Sequence, residues 1–322
     1  TVDNFAPNTD RDDYRETSAS ASIGHTFDNG VIADFRHIYN TGQTEFDAGA
    51  AKDQTDFVNT STSAGLTIPL SDQLSGKVNV GHFRDEQETF GSNPSVFDTS
   101  RDTASAQLDY ALSSSQVITV GYDYYEDNVD GTAGFTEDSR DNHAVFAQFL
   151  AQGEETTLQA NLRSDDNEAF GSNTTGSIAL GFAVGDATNL SFSYGTAFKA
   201  PTFNDLFFPF TNFGGGSTFQ GNPNLNPEES ETFEAILEGQ HGGVDWSVAA
   251  YRTDVDDLIA SNATFTTVAN VDEAEITGLE LDANFALGEW QATLGAAYLD
   301  AVDATTGNRL RNRSRGKVAI DL

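Results

Sequence analysis

The sequence contains no cysteine and no methionine. The first absence removes disulfide frameworks, thiol nucleophiles and thiolate metal sites together. The second, which includes position 1, is expected of a processed chain or a fragment, and no signal segment opens the sequence. Positive charge is scarce: 16 Lys and Arg stand against 50 Asp and Glu, a formal net charge of −34 over 322 residues. Phosphate backbones need a basic face, so nucleic acid is excluded as a partner. Long apolar runs are missing as well. Mean hydropathy is −0.40, and no run approaches the roughly 18 apolar residues of a spanning helix, which excludes a helical membrane protein. A β-barrel escapes that argument, because its strands alternate apolar and polar residues and are never greasy on average. Hydrophobic residues make up 38% of the chain. Counting glycine in and tyrosine out gives about 44%, near the globular norm of about 45–50%, so disorder is not expected despite the charge.

What is present is alternation with a period of two. Thr277, Leu279, Leu281, Ala283, Phe285 and Leu287 interleave with Gly278, Glu280, Asp282, Asn284 and Ala286. The same pattern runs through Ile118-Val120-Tyr122-Tyr124, Ile178-Leu180-Phe182-Val184, Val244-Trp246-Val248-Ala250 and Ala292-Leu294-Ala296-Tyr298. Each reads as a strand of about ten residues with one apolar and one polar face. Helical spacing is hard to find, so the chain is all-β.

The connections sort into two kinds. Short turns recur at Asp28-Asn29-Gly30, Ser113-Ser114-Ser115, Gln152-Gly153, Gly185-Asp186-Ala187 and Gly288-Glu289. Between them lie acidic, Gly/Asn-rich stretches at 44–56, 89–101, 127–142, 164–175, 201–229, 254–273 and 300–313, read as long loops. Short turns at one end and long loops at the other describe an outer-membrane β-barrel, in preference to a soluble β-sandwich or β-helix. Aromatics near the strand ends fit an aromatic girdle. The hairpins give about fifteen strands, the first near Tyr14 and the last ending mid-strand at Leu322. An odd, open set leaves unpaired edges in lipid. The expectation is one partial antiparallel barrel wall over residues 1–322, cut at both ends.

Three clusters are chemically suggestive. Asp10, Asp12 and Asp13 precede one expected hairpin, and Asp47, Asp53 and Asp56 sit on the next loop. Oxygen donors without His or Cys suit a hard cation, calcium more than magnesium. Arg309, Arg311, Arg313, Arg315 and Lys317 gather five of the sixteen cations, and at period two they are expected on one strand face. The longest loop carries Phe203, Leu206, Phe207, Phe208, Phe210, Phe213 and Phe219, too apolar for open water, and is expected to fold inward or to meet an apolar ligand. The five histidines are scattered, and no nucleophile elbow, His-Glu-x-x-His or phosphate loop is present. Binding is expected, not bond-making.

From Ser193 the sequence runs Ser-Tyr-Gly-Thr-Ala-Phe-Lys-Ala-Pro, ending at Lys199-Ala200-Pro201. Later come Gly221-Asn222-Pro223-Asn224-Leu225-Asn226-Pro227-Glu228-Glu229-Ser230. These segments resemble the barrel of TonB-dependent outer-membrane receptors. Tyr251 to Ile259, Ile276-Thr277-Gly278-Leu279-Glu280 and Leu162-Arg163-Ser164-Asp165-Asp166-Asn167 make the resemblance strongest to the cobalamin transporter branch, from about Val117 onward. It implies a barrel of 22 strands in the cell outer membrane, in contact with lipid and lipopolysaccharide. An N-terminal plug, absent here along with the last strands, would couple it to the TonB complex. It further implies a cobalamin-like substrate held by Phe46 and by Arg311 or Arg313, and a structural calcium on Asp10, Asp12, Asp47 and Asp53. A siderophore or other metal chelate is the alternative cargo, since Lys199, Pro201, Asn222, Pro223, Asn224, Leu225, Pro227 and Glu228 mark the superfamily and not the substrate; an outer-membrane enzyme or adhesin is a more remote alternative, needing a catalytic pair at the rim or repetitive extracellular loops, neither of which is legible.

Overall fold

The computed structural model describes residues 12–46, 53–262, 264–310 and 313–321. In chain order its strands are β1 (Tyr14–Thr26), β2 (Ile32–Phe46), β3 (Asp53–Pro69), β4 (Leu74–Phe90), β5 (Ser95–Ser113), β6 (Gln116–Gly131), β7 (Ser139–Gln152), β8 (Thr156–Asn167), β9 (Gly171–Gly185) and β10 (Thr188–Lys199). A short helix, α1 (Phe203–Phe207), and a small hairpin, β11 (Thr211–Gly214) with β12 (Ser217–Phe219), follow. The chain then continues as β13 (Glu228–His241), β14 (Val244–Ser261), β15 (Val268–Leu287), β16 (Trp290–Asp303) and β17 (Gly316–Asp321). All strands but β11 and β12 form one antiparallel sheet of fifteen, each beside its neighbour in sequence, with β1 and β17 at its edges. The all-β fold class and the strand number read from the sequence are those observed.

The register explains why alternation decides the fold. Residues paired across an antiparallel ladder project to the same side. The row through Leu281 joins Phe182, Leu190, Leu237, Val248, Ala296 and Val318, all apolar. The adjacent row, on the opposite face, joins Asn189, Glu238, Ser247, Asp282 and Gly295. Leu279, Leu281 and Phe285 therefore share one face and Glu280, Asp282 and Asn284 the other, as expected. A slip of one residue would exchange the two sets.

The apolar face is exposed: Leu279 is 50% accessible, Phe192 48% and Val120 45%. A continuous belt of such side chains is costly in water at about 25 cal/mol per Å², and is at home against lipid. Tyr39, Tyr124, Tyr194 and Tyr298 border the belt on one side, and Trp246, Phe285 and Trp290 on the other, the amphipathic rims of a membrane wall.

One expectation is corrected. The stretches 89–101, 127–142, 164–175 and 254–273, read as long loops, are mostly strand: β4 runs to Phe90 and β5 starts at Ser95, β6 runs to Gly131 and β7 starts at Ser139, β8 runs to Asn167 and β9 starts at Gly171, and β14 runs to Ser261 and β15 starts at Val268. Ladder bonds need only backbone, so the hairpins continue beyond the belt, where both faces meet water and alternation carries no apolar signal. Strands such as β5, with 19 residues, far exceed the roughly 9–11 needed to cross lipid. At the other end the turns are tight. Gly242 and Gly243 have φ of +61° and +81°, as a two-residue hairpin turn of this hand requires.

Candidate functional site

On the polar face, Arg101, Asp127 and Arg140 lie in one row across β5, β6 and β7. Arg101 donates from Nε and Nη2 to the two carboxylate oxygens of Asp127, at 2.5 and 2.9 Å. Its guanidinium stacks 4.3 Å from the Tyr125 ring centroid. Arg140 approaches the same carboxylate from the other side, with Nε 3.5 Å from Oδ2. Further down the wall, Arg163 donates to Asp165 through Nε and Nη2 and to Asp123 through Nη1. Asn142, with 0% exposure, donates to Asp165 at 2.9 Å and accepts from Asn167 at 3.3 Å. Asp127, Arg140, Asn142, Asp165 and Asn167 are all buried. Such groups are tolerated out of water because each charge meets an opposite one at close range.

The burial comes from the segment 200–227, which crosses this wall as a strap. Thr202 caps α1 reciprocally with Asp205, fixing the first turn of a helix too short to stand alone. Arg140 Nη1 donates to the Pro201 carbonyl at 2.7 Å, and its guanidinium lies 4.7 Å from the Phe203 ring centroid. Thr136 donates from N and Oγ1 to the Phe207 carbonyl, at 3.1 and 3.3 Å. At the far side the Asn222 amide donates to the Asp205 carbonyl at 2.7 Å, and its side chain donates to the Val268 carbonyl at 3.1 Å. Leu206, Leu225 and Val268 form a buried apolar cluster there. The inward fold expected of this phenylalanine-rich loop is thus observed. Between strap and wall lies a cavity of about 380 Å³ lined by Phe83, Thr99, Ser100, Arg101, Asp127, Asn128 and Phe203.

Gly221 allows the strap to close on itself. A Cβ there would lie 2.8 Å from the backbone C and O of Leu206 and the N of Phe208, inside van der Waals contact with atoms that cannot rotate away. Gly221→Ala is expected to loosen the strap without unfolding the sheet. Limited proteolysis checks this: cleavage within 200–227 should accelerate at least about tenfold, as a local loss of about 1.4 kcal/mol implies, while the strands stay resistant.

The structure gives most of the signature residues a scaffolding role. Lys199 pairs with Glu228 at 3.2 Å, and Glu228 also accepts from the Ile259 amide at 2.9 Å. Pro201 is fully buried and Leu225 is in the apolar cluster. Asn222 bridges strap and β15, and its Oδ1 accepts from the Asn224 amide at 3.0 Å. Pro223 and Asn224 are exposed and Pro227 is half-buried.

The expected ligand residues are spread more widely. Asp10, Asp47 and Arg311 lie outside the described residues. Asp12 is exposed. Asp53, 2% exposed, pairs with Phe46 in the β2–β3 ladder and accepts from Ser92 N at 2.5 Å and Ser92 Oγ at 3.3 Å. Among the described residues no group of three or more His, Asp or Glu side chains is placed to hold a metal ion. The basic run departs from the expected single strand face. β17 starts only at Gly316, and Arg309 makes an isolated bridge with Val302. Arg309 and Arg315 converge on Asp300, at 3.9 and 3.4 Å, and Arg313 is exposed. Arg309 and Arg315 both turn toward the Asp300 carboxylate of β16, and among the described residues of the run only Lys317 lies within a strand, so the run does not form one strand face.

The family described as TonB dependent receptor-like, beta-barrel, matches residues 1–321. A vitamin B12 transporter BtuB of Photobacterium profundum is 33% identical over 321 residues, covering 95% of this chain and 51% of that protein. Its counterpart in Vibrio vulnificus is 28% identical over 330 residues, covering 98% of this chain and 52% of that protein. The chain thus spans about half the length of these curated relatives. In fold it is similar to the siderophore receptor PirA of Pseudomonas aeruginosa, with a TM-score of 0.76 at 17% identity, covering 90% of this chain and 57% of that one. Belt, polar face, strap and family match agree: the chain belongs to the TonB-dependent receptor β-barrel family, whose members are transporters of the cell outer membrane and not enzymes.

Proposed function

We propose that this chain is barrel wall of an active importer of cobalamin-like corrinoids, which binds its cargo at the extracellular loops. The observation that carries this reading is the 33% identity to a vitamin B12 transporter, sustained over 95% of the chain and not confined to the signature segments. Energy would come from the TonB complex through a plug in the full-length protein, with lipid and lipopolysaccharide around the belt. Phe46, Arg311 and Arg313 are the proposed cargo contacts. Asp10, Asp12, Asp47 and Asp53 are the proposed calcium ligands, an all-oxygen set suited to that ion. Asp53 supports the role to the extent that Ser92 N and Oγ donate to its carboxylate and so orient it. Calcium would supply charge neutralisation that draws the acidic loops together.

Titration of the full-length protein with cyanocobalamin tests the reading. Saturable binding is expected with calcium present, weakened at least about tenfold, or 1.4 kcal/mol, by chelation, by Asp47→Ala with Asp53→Ala, or by Arg311→Ala with Arg313→Ala. A second reading, import of a siderophore or other metal chelate, is supported by the likeness of fold to PirA. Tight binding of a ferric siderophore, with none of cyanocobalamin in calcium, would replace the first reading with the second.

A further inference from the structure

Arg140 is placed unlike Arg101 and Arg163, the other two arginines of this lumenal network. Arg101 and Arg163 spend their donors on carboxylates of the wall itself. Arg140 reaches off the wall: it donates to the Pro201 carbonyl and lays its flat face against the Phe203 ring, both on the strap. Its Nε is buried without a hydrogen bond, lying 3.5 Å from an Asp127 carboxylate already held in two places by Arg101. A buried guanidinium with an unspent donor is costly where packing is the only task, since an apolar side chain of similar volume fills the same space without that cost. The return on Arg140 is its grip on the strap.

We propose that Arg140 is a positioning residue that latches the strap across the lumenal face and so makes the 380 Å³ cavity. Phe203 is the strap's contribution to that cavity, and Arg140 holds both Phe203 and the residue two before it. The opposite end is anchored independently on β15, by the Asn222 side chain on the Val268 carbonyl and by the packing of Leu206 and Leu225 against Val268. Freed at Arg140, the segment keeps its contacts on the β14–β15 side, its covalent root at Lys199, and at its near end the Thr136 hydrogen bonds to Phe207 and the Phe135–Phe208 ring contact. The latch therefore sets whether the mouth is roofed by the strap or open. It depends on no particular cargo.

The test uses the complete absence of cysteine. In the full-length protein in bilayers, Asn204→Cys, beside Phe203, and Glu154→Cys, in the β7–β8 turn, each carry a nitroxide, and their separation is measured by pulsed electron resonance. One narrow distance is expected with Arg140 present. Arg140→Met, which fills the space and leaves Asp127 its bidentate partner, is expected to move at least half of the molecules into a broad, displaced distribution. Arg140→Lys, keeping a donor but not the flat face, should fall between. Arg101→Met removes the other partner of Asp127 and should leave the distance narrow. A narrow wild-type distance in Arg140→Met overturns the latch. Equal broadening in Arg101→Met overturns it too, because collapse of the whole network would then be the cause. Circular dichroism confirms that each wall is folded, and absence of corrinoid binding would alter none of these distances.

Discussion

Arginine in place of Leu281 is expected to destabilise the wall by about 2–4 kcal/mol, the cost of a lipid-face cation near the bilayer midplane. Leu281 sits mid-belt on β15, in a row whose paired neighbours Val248 and Ala296 are equally apolar. No carboxylate shares that row, and the rims are several residues away, so the guanidinium must snorkel or thin the bilayer. One position further, Asp282→Asn alters a side chain on the lumenal face and should change stability by less than about 0.5 kcal/mol. Urea unfolding of the full-length protein in bilayers measures both. The only two tryptophans of this chain, Trp246 and Trp290, both border the belt and report loss of lipid contact. Equal effects of the two substitutions would mean that the faces are assigned the wrong way round.

Asp127→Ala is expected to cost about 3–5 kcal/mol, the penalty for stranding a buried partner charge. The side chain of Arg140 is 10% exposed and that of Asp127 12%, while that of Arg101 is 46% exposed. Removing the carboxylate leaves Arg140 with no counter-charge and little access to water. Removing Arg101 instead leaves Asp127 with Arg140, and the lost guanidinium was half in water already, so Arg101→Met should cost less than half as much. Denaturant midpoints for the pair, at equal m-value, decide it. An Arg101→Met loss as large as that of Asp127→Ala would show that the bidentate pair, and not the burial of Arg140, stabilises this corner.

The strands were legible because lipid forces every second residue to be apolar, and Thr277 to Leu287 alternates over its whole length. Their outer halves were not, since beyond the belt water bathes both faces: Ser172, Asn173 and Thr174 pair with Asp166, Asp165 and Ser164 while reading as loop. The Arg101, Asp127 and Arg140 row was invisible for another reason. Its members come from three strands, and nothing but ladder register brings them together. Arg163 and Asp165, two residues apart on one strand face, were the nearest thing to a local signal. The basic run at 309–317 misled in the opposite sense, since Arg309 and Arg315 are drawn to one carboxylate, Asp300, and β17 starts only at Gly316. Thr202 and Asp205 did carry a helix-start signature, obscured because a five-residue helix is improbable in an all-β chain.

The belt also records the lean of the strands. Val78 is near mid-belt on β4, and pairing leads from it through Ala106, Tyr122, Val145 and Ser164 to Thr174 on β9. Mid-belt on β9 is near Leu180, about six residues lower, a drop of roughly one residue per strand. At about 3.3 Å per residue and 4.8 Å between strands, the staves lean by on the order of 40° from the membrane normal. Heights must therefore be counted from the belt and not along the ladder. By that measure Arg140 stands about eight residues above mid-belt on β7 and Lys199 about seven above mid-belt on β10. Latch and strap root, three staves apart and in different rows, are level, so the strap leaves its root parallel to the bilayer surface, and its proposed release would uncover the mouth by a sideways swing, across the axis of import, with the wall intact.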